Sequence, residues 1–258
     1  MYPSLEEVKR IAESGPYRRI PVCVDMLSDR YTPVEVMRSI REVSRQCYLL
    51  ESASQNENWG RYTFLGYDPS LEITCHNGHV VIKKTNFRGK ETLEERDVAH
   101  PGDVIREIIE QYKTPVIEGM PSFTGGLVGY FSYDYIKYSE PKLKLEDHGE
   151  DDFRDMDLML FDGVIAFDYF RQKIFLIIGV STDDIEKSYE VSAQKLEMLT
   201  NIIRYGDKKK FQPLKLISPI EPQFTTEEYA DMVRRAKHYI YEGDIFQVVL
   251  SNPLRAKA

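Results

Sequence analysis

Hydrophobic residues along the chain recur at two different spacings, and each spacing predicts a different element. Apolar residues three and four positions apart, bounded by capping residues or glycine, predict helices over 5–12, 33–43, 103–113, 185–203 and 226–240. Shorter runs rich in β-branched and aromatic residues predict strands over 19–26, 48–52, 61–65, 71–76, 79–84, 158–167, 173–180 and 245–251. The chain is therefore predicted to be a folded protein of mixed helix and strand content.

Turn residues join two pairs of these strands into hairpins. Asn77-Gly78 stands between two β-prone runs, and a type I′ turn needs positive φ at both of its central residues. Asp168–Gln172 separates two further strong runs. Between the predicted elements, the charged residues 85–100 are expected to form a surface loop, and the acidic residues 137–157 a solvated excursion.

The stretch Cys47–Gly66 changes character abruptly. Its first part, Tyr48-Leu49-Leu50, is apolar on both faces, which predicts a buried strand. The strand runs into Glu51-Ser52, and a carboxylate and a hydroxyl need partners if they are buried. Two interpretations stay open at this point. Either the strand simply surfaces at Glu51, or Glu51 and Ser52 hold the ammonium and carboxylate groups of a bound amino acid.

Other motifs supply no catalytic constellation. The glycines of residues 123–134 fit neither GxGxxG nor GxxxxGK[ST], so close backbone packing is a better interpretation than phosphate binding. Cys75, His76 and His79 lie near one turn, but a zinc site needs a fourth ligand and usually CxxC-type spacing. The signatures GxSxG and HExxH are absent from the sequence.

Residues 206–223 form the best candidate for a linker, since they contain three lysines in a row and three prolines. They separate a predicted domain over 1–205 from the start of another over 224–258. One helix and one strand of buried type cannot form a core. We therefore expect the second domain to be incomplete and the chain to be a piece of a longer protein.

Composition narrows the class of protein. The 258 residues carry 34 Lys and Arg against 42 Asp and Glu, and the formal charge of −8 argues against broad binding to nucleic acid or anionic membranes. No segment approaches the roughly 18 uninterrupted apolar residues of a membrane helix. Three cysteines stand far apart in apolar runs, which favours buried free thiols and a cytoplasmic location.

Four stretches, taken together, resemble the N-terminal half of anthranilate synthase component I, of the chorismate-utilising enzymes. They are Leu49–Ser52, Gly60–Gly66, Gly125–Asp134 and Glu242–Ser251, in the family's order and at comparable spacing. The resemblance implies an α+β fold, a two-sheet α/β sandwich truncated before most of the chorismate-binding half. It also implies an enzyme that takes chorismate and ammonia, with Mg²⁺, to anthranilate and pyruvate. By the same resemblance, a glutamine amidotransferase subunit (component II) is expected to deliver the ammonia within a heterotetramer, and L-tryptophan is expected to inhibit the enzyme.

The resemblance further implies roles for individual residues. Ser52 is expected to contact the tryptophan inhibitor, with Glu51 and Leu50 beside it, and Arg61 is the nearest candidate for a basic residue that lines the same pocket. The Mg²⁺ ligands and most chorismate ligands are expected in the missing half. The chain alone is therefore expected to be inactive.

Gln247 is the one candidate for the chorismate pocket. In the predicted strand 245–251 it alternates with Phe246, Val248 and Leu250, whose wholly apolar face is expected to be core. The resemblance implies that family members which add water to chorismate have a lysine at the position of Gln247. Such a lysine could act as a base. The alternative is a buried glutamine whose amide is satisfied by backbone groups.

Two other functions stay open. Component I of aminodeoxychorismate synthase belongs to the same family and shares the N-terminal motifs, although the residues 246–251 favour anthranilate synthase. A stand-alone amino-acid-binding regulatory module would need no catalytic half. The end of the sequence just after Asn252-Pro253, in the middle of a domain, argues against such a module.

Overall fold

The computed structural model describes residues 1–52, 60–85, 90–140, 142–143 and 153–258. The chain divides into two compact units, Met1–Lys209 and Lys210–Ala258. The helices of the first unit are α1 (Leu5–Glu13), α2 (Pro33–Val43), α3 (Pro101–Gln111) and α4 (Ile185–Tyr205), with a 3₁₀ helix at Tyr133–Tyr138. Its strands are β1 (Arg19–Leu27), β2 (Cys47–Leu50), β3 (Tyr62–Tyr67), β4 (Leu71–His76), β5 (His79–Thr85), β6 (Glu91–Asp97), β7 (Gly126–Phe131), β8 (Met156–Phe161), β9 (Gly163–Asp168) and β10 (Lys173–Ser181).

The helices begin where the sequence provides caps. The Ser4 hydroxyl accepts the amide of Glu7, and the Glu7 carboxylate accepts the amide of Ser4 at 2.8 Å, which completes a capping box. Pro33 occupies the first turn of α2, and the Thr32 hydroxyl accepts the amide of Glu35. All four helices predicted for this unit are confirmed.

Two five-stranded antiparallel sheets form the body of the first unit. The first sheet has the order β1-β10-β9-β3-β2 and the second sheet the order β6-β5-β4-β8-β7. Both predicted hairpins are confirmed: β9 pairs with β10, and β4 pairs with β5 through Asn77 and Gly78, which have φ of 49° and 82°. The predicted α+β class with two sheets is confirmed as well.

The strand predicted over 158–167 is in fact two strands, which corrects the sequence interpretation. β8 belongs to the second sheet and β9 to the first, and the chain crosses between the sheets at Asp162. Both strands are largely buried, so hydrophobicity runs almost unbroken across the crossing and hides the change of sheet. At the crossing, Arg19 Nη2 lies 3.6 Å from Asp162 Oδ2.

Each sheet has one face covered by helices. Helices α1, α2 and α4 pack on the first sheet over residues such as Leu65, Phe167 and Leu176. Helix α3 packs on the second sheet over Ile73 and Met156. The opposite face of the first sheet carries a separate apolar cluster, which consists of Cys23, Val164, Ala166, Phe175 and Ile177, with Phe64, Met120 and Phe123 packed against it.

Two edge strands correct the sequence interpretation. β2, predicted as buried, is an edge strand that pairs with β3 in the part of the chain that the structure describes, and Leu50 is half exposed. Residues 91–97, predicted as part of a loop, form β6, whose side chains are nearly all exposed. Cross-strand ion pairs such as Lys83–Glu91 at 2.6 Å suit this strand, and its charged sequence concealed it. Residues 86–89 of the predicted loop lie outside the described residues.

The glycine-rich run makes a close backbone contact, as the sequence interpretation proposed. Gly129 of β7 lies opposite Leu158 of β8. A side chain at Gly129 would collide with the carbonyl oxygen of Asp157. Only glycine lets these two strands approach as they do.

The second unit contains α5 (Thr226–Glu242) and the short paired strands β11 (Glu221–Pro222) and β12 (Leu254–Arg255). The predicted helix is confirmed: Thr225 and Glu228 form its capping box, and Gly243 ends it at φ 82°. The predicted strand 245–251 is wrong, and so is its apolar core face, since Phe246 is fully exposed. A strand needs hydrogen-bonded neighbours and an apolar layer, and the described part of this unit offers this segment neither.

The cysteines largely follow the prediction. Cys23 and Cys75 are buried free thiols, whereas Cys47 is only half-buried because β2 is an edge strand. Burial raises the pKa of Cys23 to about 11, so this thiol stays protonated at neutral pH. Within the ranges that the structure covers, no helix has the length and hydrophobicity needed to cross a membrane.

Candidate functional site

The predicted inhibitor residues lie at one end of the first sheet. Leu50 pairs with Phe64 of β3, and the hydrogen-bonded ladder of β2 ends there. Glu51 and Ser52 follow directly and are exposed. The strand thus surfaces at Glu51, while the role of Glu51 and Ser52 in binding an amino acid stays a prediction. Residues 53–59, which complete this connection, lie outside the described residues.

An aromatic patch adjoins this polar end. Because side chains alternate along strands, Leu50, Phe64 and Ala166 all lie on the opposite face of the first sheet. The ring of Tyr62 stacks on Phe64 with centroids 5.5 Å apart, and Phe123 meets Phe64 edge-on at 5.6 Å. The aromatic patch, formed by Tyr62, Phe64 and Phe123, offers apolar surface suited to a flat ring. The carboxylate of Glu51 and the hydroxyl of Ser52 follow at the end of β2.

Arg61, the predicted basic residue, is held by a buried carboxylate. Its Nε and Nη2 donate to Oδ1 and Oδ2 of Asp168 at 3.0 and 2.7 Å. Asp168 is only 1% exposed and also accepts the amides of Phe170 and Arg171. Burial alone would raise the pKa of Asp168, but the hydrogen bonds from Arg61 and these amides hold it below its usual range. Arg61 and Asp168 are therefore both ionised, and a second cation, Arg171, has its Nε 3.9 Å from Asp168 Oδ2.

Sequence reasoning placed Asp168 in a turn and missed its partner. Aspartate is common in turns because its side chain accepts nearby amides, as it does here. The bond to Arg61 joins residues 107 positions apart, and only the register of β3 against β9 brings them together. No local signal in the sequence distinguishes Asp168 from an ordinary turn residue.

A second buried carboxylate, Asp155, lies directly before β8 of the second sheet. It is 4% exposed and accepts from Lys137 Nζ at 2.7 Å, the Tyr138 hydroxyl at 2.6 Å and the Asn77 amide at 2.7 Å. Its burial contradicts the prediction that the whole acidic stretch is solvated, and three donors explain the burial. The Gly78 amide donates to the Tyr138 hydroxyl at 2.6 Å. This cluster therefore fastens the β4–β5 turn to the 3₁₀ helix.

The described residues do not fit a Mg²⁺ or zinc site. Across them, no three His, Cys, Asp or Glu side chains converge as metal ligands would. At the β4–β5 hairpin, His79 Nδ1 lies 2.8 Å from Asp97 Oδ1, and that hydrogen bond raises the pKa of His79. Cys75 is buried with its Sγ 3.5 Å from the Tyr138 hydroxyl.

Gln247 lies in the second unit, in the extended segment after α5, and is exposed. It therefore does not have the buried environment of the alternative interpretation, in which backbone groups satisfy its amide. Its role toward chorismate stays a prediction.

The fold and the ordered motifs define a class of protein. The chain belongs to the chorismate binding enzyme family, whose model matches residues 45–258. The resemblance read from the sequence is thereby confirmed.

Two similar proteins from different bacteria have the same name. The chain is similar to anthranilate synthase component 1 of Acetivibrio thermocellus, with 31% identity over 269 residues that cover 98% of this chain and 51% of the relative. Identity to the Acinetobacter calcoaceticus protein of the same name is 34% over 251 residues, which cover 95% and 49%. The chain spans about half the length of these relatives.

A solved structure shares the fold. Anthranilate synthase component I from Streptococcus pneumoniae TIGR4 superposes with a TM-score of 0.54 at 23% identity, over 90% of this chain and 49% of that chain.

Proposed function

We propose that this chain is the N-terminal part of an anthranilate synthase component I, a lyase that converts chorismate and ammonia to anthranilate and pyruvate in tryptophan biosynthesis. The supporting observation is the similarity to enzymes of that name over 95% to 98% of the chain. Anthranilate synthase is a better proposal than a stand-alone binding module because the family match extends through the second unit.

The proposal includes one cofactor and one protein partner. Mg²⁺ would neutralise the substrate carboxylates, with ligands supplied by the part of the longer protein that this chain does not span. A glutamine amidotransferase subunit would deliver ammonia. We place the enzyme in the cytoplasm, which the buried free thiols Cys23 and Cys75 support.

The first experiment assays the full-length enzyme with chorismate, ammonium and Mg²⁺. Anthranilate and pyruvate should appear in equal amounts. An aminodeoxychorismate product without pyruvate would contradict the proposal and assign the related synthase instead. Residues 1–258 alone should show no turnover, because the expected Mg²⁺ ligands are outside them.

We further propose that Leu50, Glu51, Ser52 and Arg61 bind L-tryptophan as a feedback inhibitor. The aromatic patch offers apolar surface to an indole, Glu51 offers a partner for the ammonium, and Ser52 offers a hydroxyl to the carboxylate. Inhibition then follows if tryptophan binds one conformation of the enzyme better than the other.

Ser52→Phe tests this site in the full-length enzyme. A phenylalanine side chain should fill the pocket and abolish tryptophan inhibition while kcat stays near wild type. Ser14→Phe, at an exposed serine that ends α1, is the matched control and should leave inhibition intact. Loss of activity and inhibition together would refute an inhibitor site separate from the active site.

Gln247 is proposed to lie at the chorismate pocket of the full-length enzyme. A neutral amide suits a site that passes ammonia without protonating it, whereas a lysine there serves relatives that activate water. Gln247→Lys should therefore lower anthranilate formation more than it lowers stability. Gln212→Lys, also exposed in the second unit, is the control for added charge. If Gln247→Lys keeps full ammonia-dependent activity, Gln247 has no role in the chorismate pocket and is only a structural residue.

A further inference from the structure

Asp168 is buried at the same end of the first sheet as the proposed inhibitor residues. The register places Leu50, Phe64 and Ala166 in one row across three strands. The next row along the strands contains Tyr62 and Asp168, on the same side of the sheet and about 7 Å away. Asp168 thus stands one row from the strand end that carries the proposed site.

The turn that follows Asp168 holds Arg61 through side chain and backbone together. The carboxylate takes two guanidinium nitrogens, and the amide of Tyr169 donates to the carbonyl oxygen of Arg61 at 3.0 Å. Two residues after Arg61, the Thr63 hydroxyl lies 3.0 Å from the Tyr169 hydroxyl. The place where the chain enters β3 is therefore fixed by three separate contacts from one turn.

Aromatic rings fix the orientation of the same guanidinium. The Arg61 Cζ atom lies 4.8 Å from the ring centroid of Tyr62 and 5.3 Å from that of Phe170. Asp168 takes Nε and Nη2, so Nη1 is the nitrogen that the carboxylate does not engage. The Arg61 side chain keeps 33% of its surface exposed, whereas the Asp168 side chain keeps none. A fully buried acid thus presents a partly exposed, oriented cation.

We infer that Asp168 is the positioning residue of the proposed tryptophan site: it holds Arg61 so that Nη1 meets the ligand carboxylate. This inference rests on the function proposed above. Arg171 Nε also lies 3.9 Å from Asp168 Oδ2, so two cations share this one carboxylate. What Asp168 adds is therefore the direction of the hydrogen bond from Arg61, while positive charge remains near the site. Losing Asp168 would leave Arg61 charged and in contact with the rings of Tyr62 and Phe170, but without the two hydrogen bonds that fix the direction of Nη1. Affinity should therefore fall although the cation remains.

Tryptophan binding to the full-length enzyme, measured by calorimetry, tests the inference. Asp168→Asn should weaken binding about tenfold or more. Asp155→Asn is the matched control, since it removes an equally buried acid with a cationic partner from the second sheet. It should leave tryptophan affinity unchanged even if it lowers stability as much.

A double-mutant cycle separates positioning from general support. If Asp168 acts through Arg61, Asp168→Asn should weaken binding little further once Arg61→Met is present. Equal fold-losses in both backgrounds would overturn the inference, as would wild-type affinity in Asp168→Asn or an equal loss in Asp155→Asn. A wild-type enzyme that binds no tryptophan would overturn the proposed regulation and this inference together. Binding that Ser52→Phe abolishes but Asp168→Asn preserves would overturn this inference alone.

Discussion

Asp155 and Asp168 are two buried aspartates with nearly the same chemistry and different surroundings. Each carboxylate accepts hydrogen bonds from a cationic side chain and from at least one backbone amide, and in each case these donors hold the pKa down against the effect of burial. The cation at Asp155, Lys137, also donates to Asn77 at 2.7 Å, so the whole cluster is directed at the β4–β5 turn. The cation at Asp168 instead lies beside the exposed end of β2. A buried ion pair can thus fasten a turn in one sheet and present a cation in the other.

The largest expected effect is on stability, and it should be alike for both residues. Asp155→Ala and Asp168→Ala should each lower the free energy of unfolding by about 3–5 kcal/mol, because each leaves a cation and buried amides without their acceptor. Urea denaturation followed by circular dichroism measures this loss. Asp103→Ala, at an exposed acid that pairs with Arg106, should change it by less than about 0.5 kcal/mol. If Asp155→Ala or Asp168→Ala lowers the free energy of unfolding as little as Asp103→Ala does, water replaces the lost acceptor.

The next effect should distinguish the two clusters. Tyr138→Phe removes a hydroxyl that donates to Asp155 and accepts from the Gly78 amide, and it should cost about 1–3 kcal/mol. Tyr169→Phe removes the hydroxyl of a half-exposed side chain near Asp168, which lies 3.0 Å from the Thr63 hydroxyl, and it should cost about 1 kcal/mol or less. The same denaturation experiment compares the two variants. Equal costs would show that the Asp155 cluster is no more tightly connected than its counterpart.

The smallest effect is a change in acid sensitivity. Both carboxyls have a folded-state pKa below the ordinary value of about 3.9, so their stabilisation is complete above that pH and is lost as the pH falls through the lowered pKa. Asp155→Asn and Asp168→Asn should therefore make stability less dependent on pH below about 4. Free energies of unfolding measured from pH 7 down to pH 2 would reveal this weaker pH dependence. An unchanged acid slope in both variants would refute the lowered pKa values.

Local features of the fold were predictable, and features set by distant neighbours were not. The capping boxes at Ser4 and Thr225 and the Asn77-Gly78 turn are complete within a few residues, so the sequence contains all that they need. By contrast, β6 is a strand only because β5 lies beside it. The segment 245–251 shows the reverse case, since strand-like residues without neighbours stay unpaired among the described residues.

The candidate site divides in the same way. Ser52 and Arg61 were predicted from motifs of consecutive residues, and a family resemblance can recognise such motifs. Asp168 and Asp155 are acids among many in a chain with 42 of them. What sets them apart is burial together with partners, and both depend on strand register and sheet order.

The pairing of β1 with β10 has a consequence for how the protein is made. β1 is made before the other strands of the first sheet, but β10, the strand that pairs with it, ends at Ser181. The second sheet likewise waits for β8, so neither sheet can close until most of the first unit has been synthesised. During translation, the nascent chain must carry β1 and the β2–β3 pair with open edges, which makes this interval the natural target for chaperone protection.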